Sequence, residues 1–167
     1  MSEKIRAILL NKENFELTST AESLLFAAAR AQLTAEQIKP AIEKGEFVIC
    51  DRFTDSTIAY QGYGRGLDIE TLEKVNHIAT EGLTPDITFI LDINPEVAAA
   101  RMEIESSDRM EATGIDFFRR IREGYHQIKD QNPNRYRVIN GEQSPENVFK
   151  DINEIVMKKF EEVLICS

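Results

Sequence analysis

Two short runs, Phe47-Val48-Ile49-Cys50 and Ile87-Thr88-Phe89-Ile90-Leu91, are β-prone and apolar on both faces. A strand without a polar face needs cover above and below, and a parallel sheet held between helices provides it. Tyr136-Arg137-Val138-Ile139 forms a weaker third run. Helix-period patterns fill the intervals, at residues 2–10, 20–32, 34–44, 69–80, 95–104, 114–129 and 145–163. Ser19 or Thr20 caps the second of these with a glutamate nearby, and Gly45 ends the third, which runs through Pro40. Strands alternating with helices of this length predict an α/β fold, a parallel sheet with flanking helices. Ligands of such sheets collect at the carboxyl ends of the strands.

With 167 residues, 42% of them hydrophobic, and only 8 glycines and 5 prolines, the chain reads as one domain over 1–167. No apolar run approaches the roughly 18 residues of a membrane span. Met1-Ser2-Glu3-Lys4-Ile5-Arg6 lacks the apolar core of a signal peptide, so a cytoplasmic location is expected. Cys50 and Cys166 follow no metal or redox spacing. A net charge of −9 argues against nucleic-acid binding, which relies on a basic surface. Any phosphate ligand must therefore be met by a few placed arginines.

Asp51 and Arg52 end the first apolar run. An acid at a strand's carboxyl end is where phosphotransfer enzymes hold Mg²⁺ or its water, and an arginine beside it handles phosphate. The dipeptide alone fits equally well two strand-end residues bonded to their neighbours. The longer segment Asp51-Arg52-Phe53-Thr54-Asp55-Ser56-Thr57-Ile58-Ala59-Tyr60-Gln61-Gly62-Tyr63-Gly64-Arg65-Gly66 separates the two readings. It is similar, almost residue for residue, to the signature of bacterial thymidylate kinases. The resemblance extends through Leu24-Leu25-Phe26-Ala27-Ala28-Ala29-Arg30-Ala31-Gln32, Leu83-Thr84-Pro85-Asp86-Ile87-Thr88-Phe89-Ile90-Leu91-Asp92 and Asp108-Arg109-Met110-Glu111, and so covers nearly the whole chain. The glycines at 62, 64 and 66 match neither a dinucleotide fingerprint nor a phosphate loop and read as a flexible turn.

The resemblance implies a P-loop NTPase-like nucleoside monophosphate kinase fold and a set of roles. Phe26 and Arg30 occupy the positions that receive the thymine ring. Four residues apart on a helix, they share one face, so a base can stack on Phe26 while Arg30 donates to its edge. For an arbitrary pair at this spacing, a core ring and a solvated cation would be the commoner arrangement. Arg52 matches the arginine that grips the dTMP phosphate, and Asp51 its acidic partner near Mg²⁺ and the acceptor oxygen. Ser56 and Thr57 resemble residues lining the base pocket, Tyr60 the aromatic that crowds the sugar 2′ position, and Gln61 a further contact to base or sugar. Residues 101–113 correspond to a lid over the ATP phosphates, with Arg101 and Arg109 as its cations. That stretch also carries Glu103, Glu105 and Asp108, an acidic departure from the bacterial pattern. Arg119, Arg120 and Arg122 read mostly as a solvated face. Asp92 ends a strand, where it serves either a metal or as a helix cap before Pro95. His77 and His126 read as structural.

One part of the family pattern is missing from the sequence. No Gly-Lys pair occurs, so no Gly-x-x-x-x-Gly-Lys-Ser/Thr loop cradles ATP. The family places a strand, that loop and a helix, then a second strand and an Arg-Glu-Pro-Gly-Gly turn, ahead of the region where this chain starts. The fold is therefore expected to lack its first βαβ unit, and Met1 to be an internal methionine or the start of a shortened frame. Two apolar strands are then expected to lose a partner and expose unpaired edges. The expected activity is transfer of phosphate from ATP to dTMP with Mg²⁺, weak in this chain alone. The alternatives are a non-catalytic dTMP-binding or dimerisation module and another nucleoside monophosphate kinase; a homodimer is expected from the family.

Overall fold

A computed structural model describes residues 1–11, 13–102 and 114–165. Helix α1, Ser2–Leu10, packs Leu9 inward against α2, Ser19–Leu33. The α2 cap is Thr18, one residue before the expected position; its Oγ1 accepts from the Ala21 N–H at 3.3 Å. The chain continues through a π-helical turn, Thr34–Ile38, into α3, Lys39–Glu43, which begins where Pro40 can serve as an early helical residue. A second continuous helical stretch joins α4, Thr54–Thr57, to a π-helical segment, Ile58–Gly64. Helix α5, Ile69–Thr80, is capped by Asp68 Oδ2, which accepts from the Thr71 N–H at 2.8 Å. Then come β1, Thr88–Asp92; α6, Pro95–Met102; α7, Ile115–Gln131; β2, Tyr136–Asn140; and α8, Pro145–Ile165.

Strands β1 and β2 pair in parallel, with Ile90 opposite Val138 and Asp92 opposite Asn140. The predicted α/β class with a parallel sheet holds, but the sheet has two strands among the described residues. Phe47-Val48-Ile49-Cys50, expected as a buried strand, is not one: the backbone carries no ladder and Ile49 is 97% exposed. An apolar pattern can mark a segment that needs burial, but a strand exists only where another backbone answers its N–H and C=O groups. No described strand lies beside this segment. The Phe47 ring meets Phe160 of α8 edge-on, with centroids 5.3 Å apart.

The core forms where segment 58–64 crosses α7. Phe117, Ile121 and Ile128 recur at helical spacing on α7 and bury against Ile58, Ala59, Leu72, Ile90 and Tyr136. Gly62 and Gly64 are buried here within a helical segment, so two of the three glycines expected in a flexible turn are packing positions. A Cβ on Gly64 would stand 2.6 Å from the Phe117 ring, and one on Gly124 would stand 2.6 Å from Tyr63. Only glycine lets the two elements approach so closely.

The arginines of α7 are more engaged than a solvated face would be. Arg119 bonds Glu96 and Asp116, and Arg120 donates to the Gly64 carbonyl at 3.1 Å. Arg122 grips both Asp92 oxygens at 2.7 and 2.8 Å, with His126 Nε2 3.3 Å from the same carboxylate. The hydrogen bond from Arg122 holds the Asp92 carboxyl below the usual carboxylate range. Asp92 thus ties β1 to α7. The bond that would cap α6 comes instead from Asn94, whose Oδ1 accepts from the Glu96 N–H at 2.9 Å.

Candidate functional site

Arg30 lies near the end of α2, and its guanidinium is the hub of a polar cluster. Nη1 donates to Asn76 Oδ1 at 2.8 Å, and Nη2 donates to Thr57 Oγ1 at 2.8 Å and the Phe53 carbonyl at 3.1 Å. The Phe53 ring lies 5.7 Å from the guanidinium carbon. Burial pulls the Arg30 pKa down to about 10 against the opposing charge of Asp55, so the group remains cationic at neutral pH. Three of its five N–H groups are taken; Nε–H and one Nη1–H have no bond among the described residues. An arginine held at both terminal nitrogens in this way keeps its remaining donors directed, for a carbonyl to accept.

Arg52 lies on the link between the extended segment and α4. Its φ of +66° places a non-glycine residue in the left-handed region, at a cost of about 1–2 kcal/mol. The guanidinium carbon stands 4.6 Å from the Tyr60 ring. Burial works against its charge, but Tyr60, Tyr125 and Asp51 outweigh it and hold the group above its ordinary pKa. Tyr60 in turn meets Phe117 edge-on at 6.0 Å, so the core fixes the ring. Ser56 Oγ and Tyr125 Oη are 2.9 Å apart, and burial pushes the Tyr125 phenol up to about 12.

Asp55 anchors the platform that presents Ser56 and Thr57. Arg135, just before β2, donates to both its oxygens at 2.8 and 2.9 Å, while Asn76 Nδ2 donates to the Thr54 carbonyl at 3.1 Å. A hollow of about 220 Å³ lined by Thr54, Asp55, Asn76 and Arg135 adjoins these residues. A larger one of about 420 Å³, between α6 and α7, shares none of them.

Of the residues singled out from sequence, Arg30 and Thr57 meet directly, Arg52 lies over Tyr60, and Ser56 joins them through Tyr125. Phe26 is half-buried one turn before Arg30, and Asp51 is exposed beside Arg52 in the chain. Gln61 is 2% exposed and donates to buried Glu22 at 2.8 Å, engaged between α2 and segment 58–64. Arg101 donates to the carbonyls of Gly141 and Glu142, both at 2.9 Å, bridging α6 to the turn after β2. Arg109 and residues 103–113 of the expected lid lie outside the described residues.

Asn76 and Tyr125 complete the cluster but did not stand out in the sequence. A signal for Asn76 was present: asparagine is a poor mid-helix residue, yet it falls on the buried stripe Leu72, Asn76, Ala79 of α5. Tyr125 likewise falls beside the stripe of Phe117, Ile121 and Ile128.

A family model of thymidylate kinase matches residues 1–152. The thymidylate kinase of Desulforudis audaxviator is 47% identical over 142 residues, which cover 85% of this chain and 64% of that protein. Those of Chlorobaculum tepidum and Pelotomaculum thermopropionicum are both 48% identical, over 91% and 98% of this chain and 75% of each relative. The crystal structure of thymidylate kinase from Ehrlichia chaffeensis superposes with a TM-score of 0.65 at 35% identity, over 84% of this chain and 65% of that one. The chain thus spans just under two thirds of the first relative and of the solved structure. With the family match running over most of its length, this chain belongs to the thymidylate kinase family.

Proposed function

We propose that this chain carries the acceptor site of a dTMP kinase, which transfers the terminal phosphate of ATP to dTMP and so yields dTDP. The observation that carries the reading is the pair of placed cations: Arg30, restrained at both terminal nitrogens with two donors left over, and Arg52, held over Tyr60. Arg30 would donate to a pyrimidine carbonyl while Phe26 stacks on the ring. Arg52 would take two phosphate oxygens in a bidentate bond and offset charge on the transferred group. Tyr60, braced by Phe117, would crowd the sugar 2′ position. Gln61 acts here through Glu22, as a support of segment 58–64.

Magnesium suits the acid available. Among the described residues no cluster of three or more acidic, histidine or cysteine ligands exists. Mg²⁺ in phosphate-transfer sites needs only one or two carboxylates, the rest of its shell coming from phosphates and water, and Asp51 would supply one. When bound it neutralises charge on the phosphates. Arg101 and Arg109 would belong to the ATP side, within a lid at 101–113 of the single domain 1–167. We further place the protein in the cytoplasm as a homodimer; no described helix is long and apolar enough to cross a membrane.

Calorimetry with purified chain tests the reading. dTMP binds, and Arg30→Ala weakens binding roughly 10- to 100-fold, the equivalent of losing a charged hydrogen bond of about 1.5–3 kcal/mol. Phe26→Ala weakens it as well. No binding of dTMP by folded protein sinks the site assignment. Because the sequence holds no Gly-Lys pair to seat the donor's phosphates, residues 1–167 alone bind dTMP with little turnover. Turnover near the enzyme median of about 10 s⁻¹ contradicts that expectation.

A further inference from the structure

The proposed use of Arg30 leaves open what decides which of its N–H groups face the base. A guanidinium is planar and rigid, so fixing two nitrogens fixes the orientation of all five donors. Thr57 and the Phe53 carbonyl hold Nη2 and orient the plane at that end. Asn76 Oδ1, at 2.8 Å from Nη1, supplies the second restraint. Asn76 is itself locked: it is 5% exposed on α5, and its Nδ2 donates to the Thr54 carbonyl at 3.1 Å. Those two bonds also determine the amide's direction, since the oxygen faces a donor and the nitrogen an acceptor. One side chain thus connects α5, α2 and the start of α4. Being neutral, it restrains the cation without neutralising it, as an aspartate would.

We infer that Asn76 is a positioning residue for base discrimination: by holding Nη1 of Arg30 it aims the remaining donors so that a pyrimidine with a carbonyl at the facing edge is accepted and one with an amino group there is refused. The inference rests on the proposed role of Arg30. An arginine has no acceptor, so an amino group opposite its N–H groups leaves buried donors unmatched, a penalty that site-built hydrogen bonding turns into specificity. Without Asn76 the guanidinium can turn to other partners and the penalty shrinks.

The test measures dTMP and dCMP affinity by calorimetry, with thermal unfolding of each ligand-free protein. The proteins are wild type, Asn76→Ala, Asn76→Ser, Asn76→Asp, Arg30→Ala and Ile139→Ala. Asn76→Ala and Asn76→Ser, neither able to span to Arg30, are expected to lower the dTMP:dCMP affinity ratio tenfold or more. Asn76→Asp keeps the acceptor towards Arg30 but loses the donor to Thr54 and adds a charge, so it restores the ratio only in part, to between Asn76→Ala and wild type. Ile139→Ala, which opens a cavity on β2 away from the cluster, lowers the melting temperature but leaves the ratio unaltered, which separates positioning from loss of stability. If Asn76→Ala unfolds the protein, Asn76→Ser carries the comparison. A ratio that survives both Asn76→Ala and Asn76→Ser while falling in Arg30→Ala overturns the inference and spares the role of Arg30. A ratio unchanged in Arg30→Ala, or absent in wild type, overturns both.

Discussion

Replacing Arg135 by methionine keeps most of the side chain's length and removes its charge, leaving the Asp55 carboxylate without the cation that binds both its oxygens. The ion pair is bidentate, at 2.8 and 2.9 Å, with 18% of the arginine and 12% of the aspartate side chain exposed. Each charge-assisted hydrogen bond contributes about 1.5–3 kcal/mol, and stranding one member of a buried pair costs about 3–5 kcal/mol. The residual exposure admits some water to the stranded carboxylate, so a loss of about 2–4 kcal/mol is expected. For a chain of this size, with a urea slope of about 2 kcal/mol per molar, the midpoint falls by roughly 1–2 M. Asp55→Asn combined with Arg135→Met recovers part of the loss, because neither member of the pair is then left charged without the other. Urea unfolding of the two single variants and the double variant gives the coupling energy directly. A loss below about 0.5 kcal/mol for Arg135→Met, or additive single effects, would show that the pair does not hold α4 to the sheet and would remove our account of how Ser56 and Thr57 are presented.

Gly64→Ala forces a Cβ to within 2.6 Å of Phe117 and is expected to cost about 1–3 kcal/mol by overpacking; an unchanged thermal midpoint refutes the close crossing of segment 58–64 with α7. Tyr125 titrates near 12 when folded and near 10 when unfolded. The folded value is the higher, so the stability held by its neutral phenol is complete below about pH 10 and is lost as pH rises towards 12. Tyr125→Phe removes that share of the alkaline loss, and Tyr136, whose phenol burial also raises, keeps the rest. Stability profiles of wild type and Tyr125→Phe with identical slopes between pH 10 and 12 contradict the burial of the Tyr125 phenol.

Helix periodicity is local, and the sequence alone therefore placed α1, α5, α7 and α8 within a residue or two of their ends. It also marked β1 and β2, since runs with no polar face must be covered. The same reasoning went astray at residues 47–50, which are exposed and form no strand, because a strand and its cover both need neighbours supplied from elsewhere in space. Segment 54–64 shows another limit: its glycines look like a turn until the ring of Phe117, more than 50 residues on, is seen against Gly64. The signature from Asp51 to Gly66 identified the family, along with the residue types a phosphate and a pyrimidine require. What those residues touch was decided by the tertiary structure. Arg30 meets Asn76 across 46 residues of sequence and Ser56 meets Tyr125 across 69, and no pattern read along the chain encodes such distances. The opening apolar runs thus named the fold class, while packing of α5 and α7 against α2 and α4 set the direction in which each donor points.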